Sequence, residues 1–477
     1  MNVDVTLLLA ATATAWLAIV IQAYVLRRKT SSTIQTVPSW IPYLGSALDF
    51  SKDPVGFIRS CSAKYGSVFN VYLGGKTMTF FVSQKHYAMM LKHKSISHKP
   101  VFSRVAATVL SESAAFCSQM YAPKLSKPVE AYHTLRVPHL LSLTAVKSLM
   151  EHTFCHQRRV LKSFEPTGRL SLLRFAQRCI FDSGTRALFG NKLVDNSPSL
   201  WDYYTGFDKS VKLMVAGVPN IFLRPTIRAR DNLIHAIDKN LSDDASTFIK
   251  KRNELIQDIP GIEPLDAARE SMSMLWAAST NSITTAYWTL FYLLREKAAW
   301  IAVRDEVYTH LPRDTQEAWT SEQLGRCVLL ASAVDEALRL CASSLLLRVA
   351  TDDIDFMEMD PPVHLPNGSN VVIYPALTHF DDEIFPSPNT FKFDRFVNAT
   401  STQLEALKLF GMGVTMCPGR NFAKSQVKMF VALVMHEMKR FELVPGYGEP
   451  RFDPNRLGMG VLTPADASVE VEFELRL

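Results

Sequence analysis

One cysteine of the seven stands in surroundings that could do chemistry. Cys417 lies in Phe-Gly-Met-Gly-Val-Thr-Met-Cys-Pro-Gly-Arg at residues 410–420. After it, Ala423, Val427, Phe430, Val431, Val434 and Met438 recur at helical spacing. That pattern predicts Cys417 at or just before a helix N-terminus, where the dipole and unpartnered N–H groups favour a thiolate. Gly411, Gly413 and Gly419 let the backbone turn tightly and pass close to a flat group. A lone thiolate presented in this way suits the axial position on a haem iron, where it pushes electron density toward dioxygen. A buried structural cysteine ahead of a core helix is the other reading of the same residue. The remaining cysteines, at 61, 117, 155, 179, 327 and 341, form no C-x-x-C and no C-x-x-C-H. Zinc ribbons, thioredoxin-type redox and covalent haem attachment lose support, and a catalytic part in a reducing compartment gains it.

A second set of polar groups falls in residues 271–294, 24 residues without a charge. Nine of them are Ser, Thr or Asn and charges crowd both ends, so a central helix buried in protein is expected rather than a membrane span. Ala278, Asn281, Ser282 and Thr285 share one helical face. Small residues there admit a flat group close to the backbone, and the hydroxyls and amide beyond could bind oxygen or water. A core helix whose Ser and Thr bond back to their own carbonyls explains the same composition. A third set is Glu336 and Arg339, one turn apart on an apolar helix. A buried pair of this kind needs further partners.

These residues need a scaffold to bring them together. The hydrophobic share of 47% fits a large core plus one membrane segment. Net charge is +6, of which Arg27, Arg28 and Lys29 against Asp4 supply two units. The remaining +4 over the rest of the chain is too weak to suggest nucleic acid. Residues 5–26 carry no charge and are followed at once by three bases, long enough to span a bilayer as one helix with the body on the cytosolic side. A linker with Pro38, Pro42 and Gly45 follows. Residues 66–82 read as a hairpin turning at Gly74-Gly75. From 83 to 350 the periodicity is mostly helical, broken by Pro123, Pro128, Pro138, Pro166, Pro219 and Pro260, and from 351 to 396 it turns irregular. Val469, Val471, Phe473 and Leu475 alternate with charges as a half-buried strand. The expected fold is mainly α with small β-sheets (α+β), one large domain at 51–477 behind an anchor at 1–29 and a linker at 30–50.

The residues around Cys417 resemble the haem-binding signature of the cytochrome P-450 family, with Phe410, Gly411, Gly413 and Gly419 as its cofactor contacts. The resemblance extends to the anchor and hinge, to Glu336, Arg339 and Arg395 as a buried structural cluster, and to residues 271–294 as the oxygen-activation helix. It implies the family's fold, a haem b held by Cys417, electrons from NADPH through an NADPH-cytochrome reductase, and a single-pass place in the endoplasmic reticulum membrane. It further implies haem carboxylates held by Arg348 and by Arg136, with Tyr132 where a Trp is usual, and Ala278 close to the haem. Three departures stand out. Asn281 replaces the usual acid, Ser282 the usual Thr, and Thr415 a base that binds a haem carboxylate. Proton delivery is then expected through Ser282, with Asn281 holding water.

Trp276, Asn281, Trp288 and the Val-Thr-Met-Cys-Pro-Gly-Arg loop resemble the sterol 7α-hydroxylase and prostacyclin synthase branch. The implied activity is a monooxygenase oxidising a bulky apolar substrate such as a sterol or terpenoid. A haem-thiolate isomerase or dehydratase working without dioxygen, and a membrane-anchored haem or lipid carrier, are the alternatives. Residues 95–130 are expected as a loop and short helix over the pocket. Val101, Phe102, Val105, Val109 and Phe116 are candidates for its wall, with core packing an equal account of them.

Overall fold

In the computed structural model the uncharged run forms the middle of a 30-residue helix, Asp266–Arg295. Three of its hydroxyls bond back within the helix: Thr284 Oγ1 donates to Thr280 O at 3.0 Å, Thr285 to Asn281 O at 2.7 Å and Thr289 to Thr285 O at 2.8 Å, while Ser271 and Thr280 donate to side chains of other elements. The structure describes residues 34–476 apart from 142, 242 and 314–316. The anchor expected at 1–29 lies outside the described residues. Among those described, no helix is long and apolar enough to cross a membrane.

The chain divides into two compact units. In the smaller, residues 34–98 and Leu345–Leu377 build a five-stranded sheet. Strands Val68–Leu73 and Lys76–Phe81 form the expected hairpin. Gly74 and Gly75 take φ of 53° and 80°, the left-handed pair that a two-residue turn of matching twist requires. Lys76–Phe81 runs parallel to Asn370–Ile373, which pairs antiparallel with Leu346–Ala350, and Ile96–Ser97 closes the edge. Phe69 stacks on Phe80 across the hairpin at 5.8 Å, and Val71, Ile58, Phe50, Val372 and Tyr374 complete the buried face.

The larger unit, Lys99–Ser344 with residues from Thr378 onward, is helical around Asp266–Arg295. Against that helix pack Leu172–Phe189, Arg224–Asn240, Val328–Cys341 and Arg420–Glu437. Tyr287, Trp288, Leu290 and Phe291 from its C-terminal half meet Phe430, Val431, Leu433 and Val434 in one continuous core. Each such side chain contributes roughly 1.5–3 kcal/mol by leaving water. A three-stranded antiparallel sheet is formed by Thr167–Ser171, Glu470–Leu475 and Met438–Leu443. There Val471 and Phe473 point inward as the alternation predicts.

Pro128 marks a break as expected, in the first turn of Lys127–Thr134 after the helix Ala114–Met120 has ended, where its missing N–H costs nothing. One local expectation needs correction. Residues 95–130 fold as several short helices, Lys99–Val105, Ala114–Met120 and the start of Lys127–Thr134, joined by a π-helical turn at Ala106–Leu110. Within them Val109 lies in the main core, Phe116 packs with Met120, Val129, Ile256 and Ile259, and Phe102 faces outward.

Candidate functional site

The loop at 410–420 is shaped by two left-handed glycines, Gly411 at φ 75° and Gly413 at φ 64°. A bulkier residue would be strained at either. Gly419 has φ −83°, and a Cβ added there would meet Cys417 Sγ at 3.9 Å, so ordinary backbone serves at that position. A 3₁₀ turn spans Gly413–Thr415, and Cys417 N–H closes the loop onto Phe410 O at 2.9 Å. Gly419 caps the helix Arg420–Glu437, so Cys417 sits just outside a helix N-terminus as its spacing predicts. Arg420 Nη1 donates to Cys417 O at 3.0 Å. Burial pushes the Cys417 thiol up, while the Gly419 N–H and the Arg420 charge pull it down. A coordinated metal ion overrides such a balance and deprotonates the thiol outright. Thr415 turns its hydroxyl back to Met412 O at 3.3 Å.

The residues fit a haem. Among the described residues no group of three or more His, Cys, Asp or Glu could hold a metal ion. Cys417 presents a single thiol, which is what a macrocycle that brings its own nitrogens takes from the protein. Along the central helix between 271 and 293, Ala277 is exposed and Ser273, Met274, Trp276, Ala278, Thr280 and Asn281 are partly so. Trp276 and Thr280 turn to Asp208; the other five share one side of the helix, where small residues leave the backbone open to a flat group. The same helix packs on Arg420–Glu437, the helix that Cys417 precedes.

Asn281 and Ser282 behave differently. Asn281 Oδ1 accepts the Val461 N–H at 2.9 Å, which uses the acceptor end of the carboxamide. Its Nδ2 has no protein partner among the described residues. Gly460 makes this approach possible: a Cβ there would lie 2.2 Å from Asn281 Oδ1, and its φ of 131° is itself glycine territory. Ser282 is 5% exposed, and its hydroxyl likewise has no partner among the described residues, unlike Thr284, Thr285 and Thr289.

Glu336 and Arg339 are fully buried on Val328–Cys341 and paired at 2.7 and 2.9 Å. Arg395 joins them, its Nε on Glu336 Oε1 at 2.8 Å. Its guanidinium also donates to the carbonyls of Pro386, Ser387 and Thr390. The two expected haem-carboxylate donors belong to different units. Arg348 is buried on the strand Leu346–Ala350 of the smaller unit, where it donates to Leu347 O at 2.8 Å and burial lowers its pKa. Arg136, in the larger unit, is partly exposed with no side-chain partner among the described residues. Tyr132 is committed elsewhere: its hydroxyl accepts from Arg252 at 2.7 and 2.9 Å and donates to Glu270 at 2.6 Å, beside the Arg252–Glu270 ion pair.

Sequence reasoning missed a cluster around Asp208, whose carboxylate takes Trp276 Nε1 at 2.7 Å and the Arg456 guanidinium. Its members lie up to 248 positions apart and share no motif. Trp276 is the one member the sequence singles out, and its spacing says nothing of its partner.

The chain matches the family model described as Cytochrome P450 over residues 36–471. It is 29% identical to cytochrome P450 7A1 of Oryctolagus cuniculus, covering 94% of this chain and 95% of that protein. Identity is also 29% to the cholesterol 7-alpha-monooxygenase of Cricetulus griseus, covering 92% of each. It is 28% to the 7-alpha-hydroxycholest-4-en-3-one 12-alpha-hydroxylase of Oryctolagus cuniculus, covering 91% of this chain and 92% of that protein. Among solved structures, retinoic acid bound cyanobacterial CYP120A1 superposes with a TM-score of 0.73 at 18% identity. That superposition covers 94% of this chain and all of the other, a likeness of fold.

Proposed function

The chain belongs to the cytochrome P450 family, and from that premise we propose that it hydroxylates a sterol or a closely related bulky lipid. One oxygen atom of dioxygen enters a C–H bond, the other leaves as water, and two electrons and two protons are consumed. The observation that carries this reading is the Cys417 loop, a lone thiol at a helix N-terminus, within a match that spans nearly the whole chain. The sterol class follows the relatives, whose names specify cholesterol and its derivatives.

A haem on Cys417, when bound, supplies the one-electron and dioxygen chemistry. The protein's own residues do the rest. The Gly419 N–H and Arg420 charge favour the Cys417 thiolate. Ala277 and Ala278 leave room for a flat group, and Arg136, in the same unit, would hold one of its carboxylates. Asn281 offers Nδ2 as a donor to water or to a substrate oxygen, and Ser282 passes a proton from the interior through its free hydroxyl. An amide cannot give a proton, so Asn281 orients and Ser282 delivers. Electrons come from NADPH through a reductase.

The same reading places residues 1–29 as a single anchor in the endoplasmic reticulum membrane, residues 30–50 as a linker and 51–477 as the cytosolic catalytic part. Exposed apolar side chains support a membrane-associated body: Trp40, 95% exposed, with Ile41, Tyr43 and Leu44 in the smaller unit, and Ile221 and Phe222 in the larger.

Two measurements test the proposal. Reduced protein under carbon monoxide should show the thiolate-ligated absorption band and Cys417→Ala should lose it; a band that survives the substitution refutes the ligand assignment. With NADPH and reductase, isotopically labelled dioxygen should appear in a sterol product. Ser282→Ala should lower product formed per NADPH by roughly a hundred-fold or more, one proton-transfer group being worth about 10²–10⁴-fold. Unchanged coupling would remove Ser282 from the proton path.

A further inference from the structure

Asp208 ends the helix Leu200–Asp208, where the helix dipole disfavours a carboxylate. Its side chain is 12% exposed and that of its ion-pair partner Arg456 is 11% exposed. Four donors nonetheless converge on it. Trp276 Nε1 at 2.7 Å and Thr280 Oγ1 at 3.2 Å come from the central helix, one turn apart. Arg456 adds Nη1 on Oδ1 at 2.9 Å and Nη2 on Oδ2, a fork against a fork. Because Thr280 spends its proton on Asp208, Tyr204 completes the set by donating to Thr280 Oγ1 at 2.8 Å. A buried ion pair of this kind is weak support for stability, since apolar residues of equal volume serve as well. It fixes an arrangement more than it strengthens a fold.

What it fixes lies next in the chain. Arg456 closes the 3₁₀ turn Pro454–Arg456, and Met459 N–H bonds back to Arg456 O at 3.2 Å. Gly460 O then accepts from Ser343 N at 2.8 Å and Val461 N–H reaches Asn281 Oδ1 at 2.9 Å. Leu462 is held on both sides, its N–H by Cys341 O at 2.8 Å and its carbonyl by Trp288 Nε1 at 2.6 Å. The carboxylate that seats the 200–208 helix thus also anchors the stretch that orients Asn281. Trp276 and Thr280 meet Asp208 from one face of the central helix, and Asn281, one residue further round, meets Val461.

We propose that Asp208 is a positioning residue for substrate recognition: through Arg456 it holds residues 457–461 so that the Asn281 carboxamide is locked at Oδ1 and presents Nδ2 to a hydroxyl or keto oxygen of the substrate. This deepens, and rests on, the sterol reading above. Withdrawal of the 200–208 helix removes the carboxylate from Arg456 and releases the lock. Recognition of a polar sterol group is therefore available only with that helix seated.

The test uses the full haem-loaded chain carrying Asp208→Asn, which keeps the shape and loses the charge, or Arg456→Lys, which keeps the charge and loses the fork. The first readout is amide hydrogen exchange over 457–462, expected to quicken about ten-fold in both variants while the carbon monoxide band is retained; unchanged exchange overturns the coupling. The second is the dissociation constant from substrate-induced spectral shifts, with cholesterol and its 3-deoxy analogue cholest-5-ene as probes. Cholesterol should bind about ten-fold more weakly to the variants, the worth of one hydrogen bond, and the hydrocarbon less than two-fold. Equal weakening of both probes shows a purely structural role and overturns the proposal. If the unmodified protein takes neither probe while exchange responds as expected, the sterol reading fails and the coupling of Asp208 to the 457–461 stretch stands.

Discussion

Replacing Glu336 by alanine should be among the most damaging single changes in the larger unit. The carboxylate accepts from Arg339 Nε at 2.7 Å and Nη2 at 2.9 Å, from Arg395 Nε at 2.8 Å and from the Lys392 N–H at 3.2 Å. The side chains of Glu336 and Arg339 are 0% exposed and that of Arg395 is 4% exposed. After truncation Arg339 keeps His379 O at 2.6 Å and Arg395 keeps its three carbonyls. Those dipoles satisfy N–H groups but leave two buried positive charges side by side without a counter-charge. Breaking a buried pair in this way costs about 3–5 kcal/mol. Native stability is about 5–15 kcal/mol, so the loss is a large share of it. An unfolding entropy of about 2.1 cal/mol/K per residue over residues 36–471 sums to about 0.9 kcal/mol/K. The expected fall in melting temperature is then roughly 3–6 °C. Circular dichroism melts of Glu336→Ala and of the isosteric Glu336→Gln would measure it, with haem content followed in parallel. A Glu336→Ala protein melting within about 1 °C of the original would show that both guanidiniums find water, and the argument from burial would fail.

Two further substitutions probe other parts of the larger unit. Glu112 is buried with neither carboxyl oxygen hydrogen-bonded among the described residues. Burial, reinforced by Cys117 and Asp266 and opposed by Arg252 and Arg269, pushes its carboxyl up to about 8. The folded protein therefore keeps a proton that the unfolded chain, titrating near 4.5, gives up. The stability this provides is complete below about pH 4.5, falls as pH rises and is gone above about pH 8. Glu112→Gln should gain on the original across that window by on the order of 4–5 kcal/mol, at about 1.4 kcal/mol per unit. Denaturant midpoints at pH 5 and pH 9 would check it, and a gap independent of pH would contradict it. Gly460→Ala should cost more than Gly446→Ala: both have positive φ, 131° and 93°, but only the former drives a Cβ to 2.2 Å from Asn281 Oδ1. The shared strain is about 1–3 kcal/mol, and the excess at 460 reports the Asn281 contact. Equal losses of melting temperature would mean that the contact yields freely.

What the sequence by itself determined is local. The spacing after Cys417 placed it at a helix start because helical periodicity and glycine conformations act over a few residues. The same holds for the hairpin at Gly74-Gly75, the terminal strand ending in Phe473 and Leu475, and the burial within protein of a central helix rich in hydroxyls. Glu336 and Arg339 were visible as neighbours, and only the family resemblance linked them to Arg395, 59 positions away. Tertiary structure decided the rest. It gave the acceptor of Asn281 to Val461, left the Ser282 hydroxyl without a partner among the described residues and gave Tyr132 to Arg252 and Glu270. It also sank Val109 and Phe116 into cores and set Asp208 against Arg456 across 248 residues. Such pairings depend on which faces the packed helices present to one another, and no short-range pattern in the chain encodes that choice.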